Sequence, residues 1–180
     1  PEKIFRKIKS EPLWKKSSIT LIIVILIVET VYSYIEFGAF KANTQNLMDK
    51  TKQLEYVEVY KIYFVISLVL IPIYYYLKWF AISGLLYFLM LLINKKILFK
   101  HVFSVLIHCW FIIALKKIFQ VIIIYVIGTD TIIHPNDLEV IPNLGDLFTL
   151  SDNGLLAGYL DNLDLFSVWY ILLLTIGLSI

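Results

Sequence analysis

Four long apolar runs, separated by polar stretches of unequal charge, organise this chain. The first, residues 18–37, reads SITLIIVILIVETVYSYIEF and is interrupted only by Glu29. About 20 such residues make enough helix to cross a ~30 Å hydrocarbon core. The second, residues 62–94, is too long for one straight span and contains Pro72 and Lys78. It reads either as two short spans turning near Lys78 and Trp79, or as one long helix kinked at Pro72, where proline removes a backbone donor. The third, residues 99–128, carries Lys116 and Lys117 in its middle. The fourth opens after Asp164 and runs over residues 165–180. From Trp169 to Ile180 is only about 17 Å of helix. The fourth span is therefore expected to end in mid-bilayer without a basic anchor. Its remainder and a fifth span are expected beyond residue 180, and further residues before Pro1.

Charge decides between the two readings of the second run. Residues 1–17 hold six Lys/Arg against two acids, and residues 94–101 hold three Lys and no acid. Residues 36–61 balance four against four, and residues 129–164 carry seven acids with no Lys or Arg. If the second run is one span, both basic segments share one side of the membrane and both other loops share the opposite side. That is the positive-inside pattern. The expectation is an all-α, polytopic transmembrane bundle in the cytoplasmic membrane, with the N-terminus in the cytoplasm. Trp14 would mark the inner interface. Tyr74 to Tyr76, Trp79, Trp169 and Tyr170 would lie near the outer one, and Trp110 at mid-membrane as a packing residue.

Composition agrees with the membrane class: 59% hydrophobic, 16% aromatic and only 17% charged, with mean hydropathy +0.80. A net charge of +2 is too small to argue for nucleic acid. The single cysteine, Cys109, excludes an internal disulfide framework and a Cys-based zinc site. No cofactor or metal is expected.

The C-terminal stretch LDLFSVWYILLLTIGLSI resembles the segment that closes the bacterial members of the Yip family, the Ypt/Rab-interacting-protein family of five-span membrane proteins. The matching residues are Asp164, Leu165, Phe166, Ser167, Val168, Trp169 and the triplet Ile176, Gly177, Leu178. PEKIFRKIKSEPLW, residues 1–14, is similar to the basic amphipathic opening of that family. FKHVFSVLIHCW, residues 99–110, is similar to its Phe–Lys–x–x–x–Ser segment. The resemblance implies a helical bundle with a cytoplasmic N-terminus and no known enzyme activity. Some bacterial relatives are similar in context to accessory subunits of ABC-type exporters that remove antimicrobial peptides. The Asp-Leu-Tyr-Gly-Pro-like motif of relatives tied to small GTPases does not occur in these residues.

Charges inside the runs are the first candidate site. Glu29, Lys78, Lys116 and Lys117 all fall in the outer half of the bilayer when residues are counted from the basic segments. Intramembrane charges are costly and usually face a bundle interior or a wet cavity. One reading pairs Glu29 with Lys78 or Lys116 around an outward-open cavity. The other lets the lysines snorkel to the headgroups, an escape closed to the shorter Glu29. His101, Ser104 and His108 share one helix face and could form a proton relay or a metal site, or be merely one interfacial and one packed histidine. Cys109 projects about 100° from His108, so no Cys–His nucleophile pair is supported there.

The extramembrane segments suggest less specific roles. Lys3, Arg6, Lys7, Lys9, Lys15 and Lys16 surround Ile4, Phe5 and Ile8, a pattern for an inner-leaflet anchor on anionic lipid. Residues 44–61 either extend the second helix out of the membrane or lie on its surface. Residues 129–164 form an acidic loop with turn-rich spacing and no EF-hand pattern, and residues 150–160 could form a short interfacial helix. No phosphate-cradling Gly loop, catalytic carboxylate pair or Ser/His/Asp set is present. The leading expectation is a non-catalytic membrane scaffold or accessory subunit that packs on other subunits. The rival is a small-solute or ion transporter built on the intramembrane charges.

Overall fold

The computed structural model describes residues 14–44, 50–128, 140–143, 160 and 163–179. Among them the chain is all-helical: α1 (Trp14–Thr44), α2 (Lys50–Leu92), α3 (Phe99–Ile127) and α4 (Leu165–Ser179). The first three are long and apolar enough to cross a membrane, and α4 is a shorter apolar helix of 15 residues. The second apolar run is one continuous helix of 43 residues with Pro72 inside it. It starts at Lys50, so the helical extension of residues 44–61, rather than a surface segment, is what the described part adopts.

The turn from α2 to α3 is built by sequence. Asn94 adopts φ 56°, a left-handed conformation that asparagine tolerates better than most residues. Its N–H bonds to Leu91 O and that of Lys95 to Met90 O, both at 3.0 Å. This is the Schellman closure of a helix end, satisfying carbonyls that would otherwise be orphaned. α3 ends on Gly128 (φ 101°), whose N–H returns to Ile124 O.

α3 is the hub. It packs against α1, α2 and α4, and its side chains are buried on every face from Val102 to Ile107. Trp14 meets Phe103 edge-on at 5.5 Å, which brings the start of α1 beside the start of α3. Lys15, Lys16, Lys95, Lys96 and Lys100 therefore share one end of the bundle, called here the basic end. The core joins Leu21 and Ile25 of α1, Tyr75 and Trp79 of α2, and Phe103, Leu106, Ile107, Trp110 and Ala114 of α3. Ser18, Ser83 and Ser104 are fully buried at these interfaces, where small side chains let helices approach closely.

Three positional expectations need correction. Trp79 is 0% exposed and packs on Trp110 with ring centroids 6.0 Å apart, so it is a core residue and not an interface anchor. α4 runs back to the basic end of the bundle: Leu178 packs on Val102 and Val105, and its carbonyl accepts from Lys95 Nζ. The estimate failed because the start of α4 is docked low, beside Lys116, instead of beyond the far end of α3. Lys78 lies over the ring of Trp110, 5.2 Å from its centroid. Trp110 is about 16 Å along α3 from Phe99, so the Lys78 ammonium lies level with the middle of α3 and not with its far end. Both Phe80 and Tyr87 of α2 touch Phe99 of α3. Residues two turns apart on α2 thus meet one residue of α3, and counting residues along α2 overstates height relative to α3.

Candidate functional site: a polar clamp and an open helix face

Consecutive side chains on a helix diverge by about 100°. Lys116 and Lys117 use that divergence to hold two different helices. Lys117 Nζ donates to Glu29 Oε1 of α1, and the same oxygen accepts from the Tyr75 hydroxyl of α2 at 3.0 Å. Lys116 Nζ pairs with Asp164 Oδ2 at the head of α4. Asp164 is also the N-cap of that helix: its Oδ1 accepts from the Ser167 backbone N–H at 2.7 Å. Burial pushes the Asp164 carboxyl up, but hydrogen bonds from Lys116 and Ser167 and the Lys116 charge outweigh it and hold the group below the usual carboxylate range. One turn of α3 thus gathers α1, α2 and α4 in a neutral set of two acids and two bases.

The expected pairing of Glu29 with Lys78 or Lys116 is therefore corrected: Glu29 pairs with Lys117. Lys116 points the other way around α3, to Asp164, and Lys78 lies on the rings of Trp110 and Tyr74. The outer three are a clamp; Lys78 stands apart from it. Asp164 and Tyr75 were not assigned to the site from sequence. The adjacent lysine pair was the available signal, because two cations 100° apart on one helix require partners on two neighbours.

A second polar seam lies nearer the basic end. Tyr76 donates its hydroxyl to Ser18 Oγ at 3.1 Å, and Ser18 donates to Lys15 O. His108 Nδ1 lies 2.7 Å from the Ser104 carbonyl, which fixes N–H at that nitrogen, while Nε2 meets Ser17 Oγ at 3.0 Å. His108 is thus spent on its own helix and on α1. The Ser104 hydroxyl is buried without a hydrogen-bond partner, so the structure supplies no hydroxyl link of a relay from His108 toward His101. Among the described residues no group of three or more His, Cys, Asp or Glu is placed to hold a metal. Cys109 is fully buried among Val102, Val105 and Leu178. Of the basic anchor residues, Lys15 and Lys16 are exposed at the start of α1. Lys3, Arg6, Lys7 and Lys9 lie outside the described residues, as does most of the acidic loop.

The other feature is an absence of cover. Between Ile62 and Leu92, α2 turns a long apolar face outward, including Ile66, Val69, Leu70, Ile73 and Leu77, all exposed. A groove of about 520 Å³ runs along it, and every lining residue, from Tyr63 to Leu77, belongs to α2 itself. Among the described residues it has one wall and no opposite wall.

A family model for the Yip1 domain matches residues 1–180, the full length of the sequence. The chain belongs to the Yip1 domain family. No match was found among curated proteins or among solved structures. Within this Yip1 domain the sequence pattern that carries the likeness has a physical reading. The Asp of the C-terminal motif is Asp164, and it caps α4 while tying it to α3. Ser167 is the third helical residue, whose N–H that cap satisfies. The Phe–Lys segment opening α3 places Phe99 in the aromatic contact with Phe103, Phe80 and Tyr87. This Yip1-family chain is a membrane protein whose family points to a membrane-associated, non-catalytic role.

Proposed function

We propose that the protein is a non-catalytic scaffold or accessory subunit of a membrane complex, and that it receives a partner's transmembrane helix along α2. The groove on α2 carries this reading. A face of one helix, almost wholly apolar and with no second wall among the described residues, has the form of a helix-in-groove receptor within a bilayer. The charges support it from the other side. A path for solute needs polar groups free to face it, whereas Glu29, Lys117, Lys116 and Asp164 neutralise one another. By the positive-inside rule the basic end faces the cytoplasm, where Lys15, Lys16 and the basic residues before them meet anionic lipid. An ABC-type exporter is the partner class that the family resemblance implies.

Affinity purification of the full-length protein in mild detergent, followed by mass spectrometry, tests the reading. Stoichiometric recovery of transporter subunits, lost when Leu70→Trp fills the groove, is the expected result. Ion or solute flux through liposomes holding this protein alone, abolished by Glu29→Gln, would overturn it in favour of a transporter.

A further inference from the structure

Lys78 is a cation near the middle of the bundle without a carboxylate partner among the described residues. Each of the other two intramembrane lysines has one. Its ammonium lies 5.2 Å from the Trp110 ring centroid and 5.6 Å from that of Tyr74. Ring faces attract a cation, but they leave its charge uncompensated. The two rings have different surroundings. Trp110 belongs to the core, while Tyr74 is exposed and lines the α2 groove. Lys78 therefore stands at the rim between the packed bundle and the open face, one residue past Leu77, the last residue of the groove lining.

Resting on the scaffold reading above, we propose that Lys78 is one half of an intramembrane ion pair, completed by an acidic residue on the transmembrane helix that docks in the α2 groove. A lysine held within the apolar part of a bilayer is costly and is stabilised by an opposite charge brought to its own depth. The groove supplies apolar packing along the partner helix; Lys78 supplies register and choice of partner. Among the acids whose side chains the structure describes, none in a second copy of this chain fits the requirement. Glu29 and Asp164 are already paired within each copy. Glu58, on the same helix, is 20 residues from Lys78, about 30 Å along the axis. The partner is a different membrane protein with one Asp or Glu near the middle of its span. A lipid phosphate is disfavoured by depth, since the Lys78 stem is folded over Trp110 instead of reaching toward a headgroup layer.

The test uses the full chain carrying a donor fluorophore, in phosphatidylcholine liposomes. Acceptor-labelled synthetic polyleucine helices of about 22 residues carry a single central Glu or Gln. Energy transfer reads association. The Glu helix is expected to bind about tenfold more tightly than the Gln helix. Lys78→Met should bring the two to the same level, and Lys78→Arg should keep them apart. Equal binding of the Glu and Gln helices to wild type, or a Glu preference that survives Lys78→Met, would overturn the ion pair while leaving the groove as a receptor. Binding of neither helix would overturn the scaffold reading with it. Loss of the Glu preference when phosphatidylglycerol is added would assign Lys78 to lipid phosphate and also overturn the proposal.

Discussion

α3 and the outer face of α2 are comparably apolar in sequence, yet α3 is enclosed by three helices while most of α2 faces outward. Leu106 and Ile107 on α3 are 0% exposed; Leu70 on α2 is 53% exposed and Ile62 61%. In water such a difference would be unstable, because the open face would seek burial. In a bilayer, lipid tails are as apolar as leucine, so hydrophobicity does not decide which helix lies inside. Packing shape, small residues and polar links decide instead. α3 has Ser104 at its interface, two lysines that fasten α1 and α4, and rings that meet Trp79 and Tyr75. The outer face of α2 carries Ser67 in its groove and Lys78 at its rim, but among the described residues no ion pair to another helix.

The largest effects should follow from emptying α3's surroundings. Leu106→Ala and Trp110→Ala are expected to destabilise the isolated protein by about 2–5 kcal/mol, since each leaves a cavity between helices. Unfolding in detergent, followed by circular dichroism, measures this. A loss as small as that from trimming an exposed α2 residue would erase the distinction between the two regions.

The clamp comes next. Glu29→Ala removes the acceptor of both Lys117 and Tyr75, and a cost of about 1–3 kcal/mol is expected for stranding them. The pair is partly exposed, with the Lys117 side chain at 30%, which keeps the figure below that of a fully buried pair. A double-mutant cycle of Glu29→Gln with Lys117→Met should show coupling; additivity would mean that α1 is held by packing alone. Asp164 adds a pH signature. Its folded carboxyl titrates below the unfolded one, so the stability it contributes is present above the ordinary aspartate pKa, about 3.9. That contribution is lost as pH falls through the lower folded value. Acidification should loosen α4 from α3, and Asp164→Asn should flatten that part of the profile. An unchanged profile would show that the Lys116 pair contributes nothing.

Much of this was legible in the sequence, for reasons tied to particular residues. The charge asymmetry between residues 94–101 and 129–164 selected one long second helix, because a two-span reading would have placed lysines on the wrong side. The helical course of α2 through Pro72 agrees with that selection. What charge counting could not reach was how the helices are set against one another. Residue counting along α2 puts Lys78 higher than its contact with Trp110 does, and nothing local to Asp164 points to its partner 48 residues away, at Lys116. Sequence gives a residue's distance along its own helix; only packing gives its neighbours. The His101, Ser104 and His108 face shows the same limit, since His108 turns to Ser17, which no periodicity within α3 could indicate.

The smaller contrast lies within the polar seam. Ser17→Ala takes the hydroxyl away from His108 Nε2 and is expected to cost about 1 kcal/mol. Ser104→Ala removes a buried hydroxyl with no hydrogen-bond partner and should be neutral or stabilising, provided the vacated space closes.

The smallest effects should come from the open face of α2, and they sharpen the comparison most. Ile66→Ala and Leu70→Ala delete exposed side chains, which in a detergent-solubilised monomer touch little besides detergent. Changes within about 0.5 kcal/mol are expected in the same unfolding assay. Lys78→Met should be equally mild, because it exchanges a modest cation–π attraction for relief of an uncompensated charge. The same three substitutions should weaken binding of the acidic polyleucine helix, Lys78→Met through charge and the alanines through lost packing. Residues that do nothing for the protein alone and much for its association belong to a surface kept for a partner. If instead Leu70→Ala destabilised the monomer as strongly as Leu106→Ala, α2 would already be enclosed within the protein's own fold, and no face would remain for another helix to occupy.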